Sequence, residues 1–251
     1  MAEFISLYSG SSGNCSVVRS GGAYLLVDMG KGVRVTTGAL REAGLDASDC
    51  RGILVTHEHS DHVKGLGTFL KRHPLPVYGA GPTLAALEAA GLLPAACPVC
   101  LLDPDRGEEA DVAGFGVRAF PTSHDVPCVG YRITTPDGKT MAIATDLGTL
   151  TPAVHAALDG CDLVALESNY DPYMLHNGPY PYYLRARIEG PWGRGAGPGL
   201  HRPDPAPQRG QPHPGILSET VDKSRAYAYN LTGTGRRKAP RAPKSIKATW
   251  L

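Results

Sequence analysis

A mixed α/β fold is predicted by two features of the first two thirds of the chain. Short apolar runs end in turn residues, as buried strands do. Between them lie stretches whose apolar residues recur at helical spacing. The first run, Ala-Tyr-Leu-Leu-Val at 23–27, closes on Asp28-Met29-Gly30 and reads as a buried strand followed by a turn. A second, Ile-Leu-Val-Thr at 53–56, leads straight into His57-Glu58-His59-Ser60-Asp61-His62.

Residues 61–70 then predict a helix, because Val63, Leu66, Phe69 and Leu70 recur on one face. Residues 83–90 are good helix formers and predict another. At 116–120 the side chains alternate as in a half-buried strand, which runs into Thr122-Ser123-His124. Two strand-like runs, 129–134 and 140–145, flank Pro136-Asp137-Gly138, a hairpin signal. Thr151-Pro152 starts a helix with a capping hydroxyl and a proline in its first turn. The run 162–166 is a last buried strand, ending at Glu167-Ser168-Asn169.

The 251 residues are 42% hydrophobic and 20% charged, the balance of a globular chain with a sizeable core. No run approaches the 18 or so uninterrupted apolar residues of a membrane span. Met1-Ala2-Glu3-Phe4 has neither a basic leader nor a secretory apolar run, so a soluble, cytoplasmic protein is expected. The six cysteines have no framework spacing, and Cys97-Pro98-Val99-Cys100 lacks the second pair of a zinc ribbon. They are expected to be reduced and to serve as small hydrophobes.

The net charge of +1 hides an asymmetry. Residues 1–189 hold 14 Lys+Arg against 21 Asp+Glu, a net of −7, whereas 190–251 hold 11 against 3, a net of +8. That shift admits a basic nucleic-acid arm or a tail foreign to the body. Residues 191–215 are crowded with Gly, Pro and Arg and have few aliphatic side chains to offset chain entropy. Only 216–229 reads as a possible helix beyond them. Limited proteolysis is therefore expected to cut within 194–215 before anywhere in 20–170, and protection equal to the body would overturn that expectation.

The chemistry concentrates in residues 57–62. Imidazole nitrogens and carboxylate oxygens suit borderline divalent ions such as Zn²⁺. His57 and His59 alternate, so extended backbone projects both to one side. Asp61 and His62 diverge at the start of the following helix, and one short segment can thus face two metal positions. Against this stands a plain solvated loop. His124 and Asp146 each follow a predicted strand and are the residues that would complete a metal pair, with Asp146 as the bridging carboxylate.

This pattern, an HxHxDH motif with a later His and a later Asp after strands, resembles the metallo-β-lactamase superfamily. Gly10-Ser11-Ser12-Gly13-Asn14, Leu26-Val27-Asp28, Glu167-Ser168-Asn169 and Asn177-Gly178-Pro179-Tyr180-Pro181 resemble the YycJ/WalJ group within it. The resemblance covers about residues 4–193. It implies an αββα sandwich over 1–190, followed by a Gly/Pro/Arg-rich tail over 191–251 expected to be poorly ordered. It also implies two divalent ions, Zn or Mn. By the family pattern His57, His59 and His124 hold the first, Asp61 and His62 the second, and Asp146 bridges. Asp61 is the candidate for orienting the attacking water, while Asp28 and the 11–14 turn shape the rim or support it.

The resemblance further implies a hydrolase acting on phosphodiesters, a nuclease of the DNA-exonuclease kind with nucleic acid as substrate. A thioester or lactone hydrolase on the same fold stays open, as does a non-catalytic remnant. Tyr170, Tyr173, Tyr180, Tyr182 and Tyr183 could stack on bases or pack among themselves.

In one respect the chain departs from the group, whose members carry Gly-His-Leu-Ser-Asn after the Pro-Tyr-Pro stretch and a later His-Leu-Ser completing the second metal. Here Pro191-Trp192-Gly193 is followed by Arg194, and neither His201 nor His213 stands in that context. Codons for Pro205-Ala206-Pro207-Gln208-Arg209, read one base later, permit x-His-Leu-Ser. A frame disruption across roughly 194–212 is compatible with them, and the second metal site is expected to be incomplete.

Overall fold

The computed structural model describes residues 1–168 and, beyond them, three strands at 215–220, 226–229 and 246–249. Alternation along its strands sorts the core into three layers. In β3 (Ala23–Val27) and β4 (Cys50–Val55), Leu25, Val27 and Leu54 face one way, while Tyr24, Leu26, Ile53 and Val55 face the other. Successive side chains of a strand point to opposite faces, so each strand feeds two layers.

The first sheet runs β14 (Ile246–Thr249), β1 (Ala2–Tyr8), β2 (Cys15–Ser20), β3, β4, β5 (Val77–Gly79) and β6 (Val99–Leu101). Its outer face packs on α1 (Val33–Glu42), α2 (Ser60–Val63), α3 (Leu66–Leu70) and α4 (Gly81–Ala89), through Leu40, Val63, Phe69 and Leu87 among others.

The second sheet runs β13 (Ala226–Tyr229), β12 (Gly215–Thr220), β11 (Leu163–Ser168), β10 (Thr140–Ala144), β9 (Cys128–Thr134), β8 (Phe115–Thr122) and β7 (Ala110–Val112). Phe115, Val117, Tyr131, Ile133, Met141 and Ile143 pack against Phe4, Val18, Leu25 and Leu54 between the sheets. Each such side chain, fully buried, contributes about 1.5–3 kcal/mol. On the far side α5 (Pro152–Leu158) lays Val154 and Ala157 against Ala142, Ala144, Val164 and Leu166. Helix, sheet, sheet and helix are stacked in that order, which is the αββα sandwich.

Three expectations need correction. The helix expected over 61–70 is two helices, α2 and α3, separated at Lys64-Gly65. Gly65 packs on the 29–31 turn: its N–H donates to Met29 O at 2.9 Å, and a Cβ there would stand 2.0 Å from Lys31 O. The possible helix over 216–229 is replaced by β12 and β13, because β12 extends the parallel edge of β11, with Val164 opposite Ile216. Sheet pairing overrides weak local helix propensity. Third, the tail over 191–251, expected to be poorly ordered, supplies β12, β13 and β14 to the two sheets. Residues 169–214, where the boundary at 190 and the tyrosine-rich loop fall, lie outside the described residues.

Helix α1 carries a weak local signal, because Val33, Val35, Thr36 and Thr37 are β-branched and favour strands. Tertiary packing decides it: Val33, Thr36 and Leu40, spaced by three and four, are its buried residues. The cap read at Thr151 is present, its Oγ1 accepting the Val154 N–H at 3.3 Å. All six cysteines are free, five of them buried and Cys100 partly so. Among the described residues no helix is long and apolar enough to cross a membrane.

Candidate metal centre

Four strand ends meet at one edge of the sandwich. β3 ends at Asp28 and β4 at Thr56-His57; the two are parallel, with Val27 opposite Leu54. In the other sheet β8 leads to His124 and β10 to Asp146. Both are antiparallel to β9, so they share a direction. Chain direction thus brings the C-terminal ends within each sheet to one side, and the approach of His57 to His124 and Asp146 joins the two sides.

His57, His59 and His124 form one donor group, and His57, His62 and Asp146 a second, with the ligand atoms of each group within 4.8 Å of one another. His57 Nε2 lies 3.1 Å from His59 Nδ1, which lies 3.3 Å from His124 Nε2. In the second group His62 Nε2 is 2.9 Å from Asp146 Oδ2. Asp61 is in neither group; its Oδ2 sits 3.8 Å from His62 Nε2. All six residues singled out from the sequence thus stand at this edge, with Asp61 the outermost relative to the two groups.

Neighbours aim these side chains. Asp28 Oδ2 accepts from His62 Nδ1 at 2.7 Å and from the Thr56 hydroxyl at 2.8 Å, while Oδ1 accepts the Thr56 N–H at 2.8 Å. Thr56 Oγ1 and Cys128 Sγ approach His57 Nδ1 at 3.0 and 3.6 Å. Nε2 of both rings is thereby left facing the centre, the arrangement in which imidazoles ligate metals. Three imidazoles and a buried carboxylate around the shared His57 ring are a donor set that fits borderline divalent ions. Asp125, outside the predicted set, places Oδ1 3.0 Å from His124 Nε2 and 3.6 Å from His59 Nε2.

The backbone holds the motif as a bracket. Asn14 N–H donates to Asp61 O at 2.7 Å and Met29 N–H to His62 O at 2.6 Å, while Gly30 N–H donates to Asn14 O at 2.8 Å. Asn14 Oδ1 accepts the Gly10 N–H at 2.9 Å, which turns Nδ2 to within 3.0 Å of His62 Nε2. Across the site, Gly148 N–H donates to Ser123 O at 2.7 Å and ties the His124 loop to the Asp146 turn.

Asp28 (φ 62°) and Asp146 (φ 54°) both adopt left-handed backbone, an uncommon state that Asp tolerates better than most residues. Each costs on the order of 1 kcal/mol or more and is held by its surroundings. Both stand in the same local text, an apolar strand followed by Asp-apolar-Gly: Asp28-Met29-Gly30 and Asp146-Leu147-Gly148. That repeat was the signal by which Asp28 could have been paired with Asp146. Thr56, Asp125 and Cys128 carry no such signal, because their roles depend on which loop arrives beside them.

Burial, and then the charge of His62, push the His57 pKa down to about 2, so this ring is neutral. Burial also opposes charge on His62, but Asp28 and then Asp146 overcome it and lift its pKa well above the ordinary range. Burial would raise Asp146, yet the hydrogen bond and charge of His62 hold it below the usual carboxylate range. His62 thus places a positive charge between Asp28 and Asp146.

The Beta-lactamase superfamily domain matches residues 24–183. An exodeoxyribonuclease YycJ of Bacillus anthracis is 35% identical over 190 residues, covering 74% of this chain and 70% of the relative. An exodeoxyribonuclease WalJ of Streptococcus pneumoniae is 29% identical over 182 residues, covering 72% and 68%. In fold, the metallo-beta-lactamase fold protein YhfI from Bacillus subtilis superposes with a TM-score of 0.57 at 21% identity, over 68% of this chain and 72% of that one. With the domain matched across more than half its length and the sandwich carrying its His/Asp clusters at one edge, this chain belongs to the beta-lactamase superfamily.

Proposed function

We propose that the protein is a metal-dependent phosphodiesterase acting on nucleic acid, a nuclease of the exodeoxyribonuclease kind. The observation that carries this is the pair of donor groups sharing His57 at the sandwich edge. The names of the YycJ and WalJ relatives support the substrate class. In this proposal His57, His59 and His124 hold one divalent ion, Zn or Mn. His62 and Asp61 hold the other, and Asp146 lies between. Residues 1–190 carry every one of these ligands, while β12, β13 and β14, from within 191–251, extend the two sheets that support them.

Bound divalent ions supply Lewis acidity, which polarises the phosphoryl group and activates water. The residues do the rest. Asp61, the carboxylate outside both donor groups, accepts a hydrogen bond from the attacking water and aligns it. Asp28 keeps His62 in one tautomer and orientation. The 10–14 turn, fastened to Asp61 O, limits how far that carboxylate can drift, since ~1 Å of misplacement costs on the order of a hundredfold in rate.

The test sets a phosphodiester panel (a chromogenic diester and 5′-labelled single- and double-stranded DNA) beside lactones and thioesters. Turnover confined to phosphodiesters is the expected result. Turnover confined to the lactones or thioesters would replace the proposal with a small-molecule hydrolase. A version carrying Gly-His-Leu-Ser in the shifted frame should bind more metal per chain and turn over faster. Equal metal content and rate in both versions would show that a residue of the present tail, such as His201 or His213, fills the place.

A further inference from the structure

Thr56 lies against the Nδ1 sides of His57 and His62, and each of its polar atoms is engaged. Its N–H donates to Asp28 Oδ1 at 2.8 Å, and its carbonyl accepts the Val129 N–H of β9 at 3.1 Å, tying the two sheets together. Its Oγ1 lies 2.8 Å from Asp28 Oδ2, 3.0 Å from His57 Nδ1 and 3.3 Å from His62 Nδ1. The residue is fully buried, so no solvent competes for these bonds.

Counting protons settles their directions. A carboxylate only accepts, so the single hydroxyl proton of Thr56 goes to Asp28 Oδ2. Toward His57 the hydroxyl can then only accept, which requires the proton of that ring to sit on Nδ1. His62 Nδ1, 2.7 Å from the same Oδ2, donates to it as well. Both rings therefore carry a proton on Nδ1 and turn Nε2 to the centre. His57 belongs to both donor groups, so its tautomer governs both. The other neighbour of His57 Nδ1 is Cys128 Sγ at 3.6 Å, a weaker acceptor.

From this arrangement we infer that Thr56 is a positioning residue for the metal centre: its hydroxyl fixes His57 directly and, through the Asp28 carboxylate, works in one unit with His62. The inference rests on the metal-binding proposal above and adds to it the residue that presets the shared ligand. Outer hydrogen-bond partners of ligating histidines are worth on the order of 10- to 100-fold in metal affinity. Valine has the shape of threonine without the hydroxyl, so Thr56→Val removes the acceptor for His57 and a donor to Asp28 with little change in volume. Thr56→Ser keeps the hydroxyl and loses a methyl group.

The experiment titrates metal-free wild type, Thr56→Val and Thr56→Ser with Co²⁺, followed by calorimetry and visible absorption, and records imidazole ¹⁵N spectra of the same proteins. Expected are a 10- to 100-fold loss of Co²⁺ affinity in Thr56→Val, a shifted Co²⁺ absorption band, and affinity near wild type in Thr56→Ser. In the spectra, His57 should carry its proton on Nδ1 in wild type and Thr56→Ser and lose that single tautomer in Thr56→Val. Co²⁺ affinity in Thr56→Val within twofold of wild type, with the tautomer unchanged, overturns the inference. If Thr56→Val does not fold, the wild-type spectrum decides, since a His57 proton on Nε2 overturns it equally. Wild type that takes up no Co²⁺ but shows His57 protonated on Nδ1 would sink the metal-binding proposal and leave the relay standing as a structural one.

Discussion

Replacing His57 and His59 together with Ala is expected to empty the first donor group and abolish hydrolysis. His57 Nε2 and His59 Nδ1, 3.1 Å apart, are two of its three ligand atoms, and His57 also serves the second group. His124 alone cannot hold an ion at useful affinity, so metal per chain should fall by at least one equivalent. Phosphodiesterase turnover should fall by more than about a hundredfold, the scale set by even ~1 Å of misplacement of reacting groups. Elemental analysis and single-turnover assays on the double variant check both. Unchanged metal per chain would falsify the assignment of these residues.

The largest effect on stability is expected from Gly30→Ala. A Cβ at Gly30 would stand 1.6 Å from Asp61 O, 2.4 Å from Asp61 C and 2.5 Å from Asn14 N. All three are backbone atoms, so no side chain can swing aside to make room. The bracket itself must open, breaking Asn14 N–H to Asp61 O and Gly30 N–H to Asn14 O. Overpacking of this kind costs about 3 kcal/mol or more, a fall in melting temperature of roughly 10 °C for a chain of this size. Metal content and turnover should drop as well, since Asp61 and His62 move with the bracket. Gly38→Ala is the control: it lies within α1 with nothing within 4 Å of its added Cβ. That change should stabilise the protein by up to about 1 kcal/mol. Similar melting temperatures for the two variants would show that the bracket is not rigid.

Much of this centre was legible in residues 57–62, because a dense local cluster of ligand types has few other physical reasons to exist. His124 and Asp146 were legible for a second reason, that each follows a strand-like run and a strand end is where a sheet presents side chains at its edge. The aspartate at position 28 was visible but ambiguous. Its strand and turn could be read, whereas its hydrogen bonds to Thr56 and His62 join residues 28 and 34 positions apart. The break in the helix over 61–70 was hidden for the same reason: the periodicity of Val63, Leu66 and Phe69 is local, and the contact of Gly65 with Met29 and Lys31 is not.

The sequence by itself determined the α/β class and the strands read at 23–27, 53–56, 129–134 and 140–145, and it supplied the residues proposed here as metal ligands. These depend on periods of two and 3.6 residues and on donor chemistry, all of which are written within a few neighbouring positions. Only the tertiary structure decided that β12 and β13 are strands, that Asp61 stands outside both donor groups, and that Thr56 lies between His57 and Asp28. Each of those outcomes depends on which sheet edge or loop arrives from a distant part of the chain. A pairing energy or a hydrogen bond between distant residues leaves no periodic trace in either segment alone.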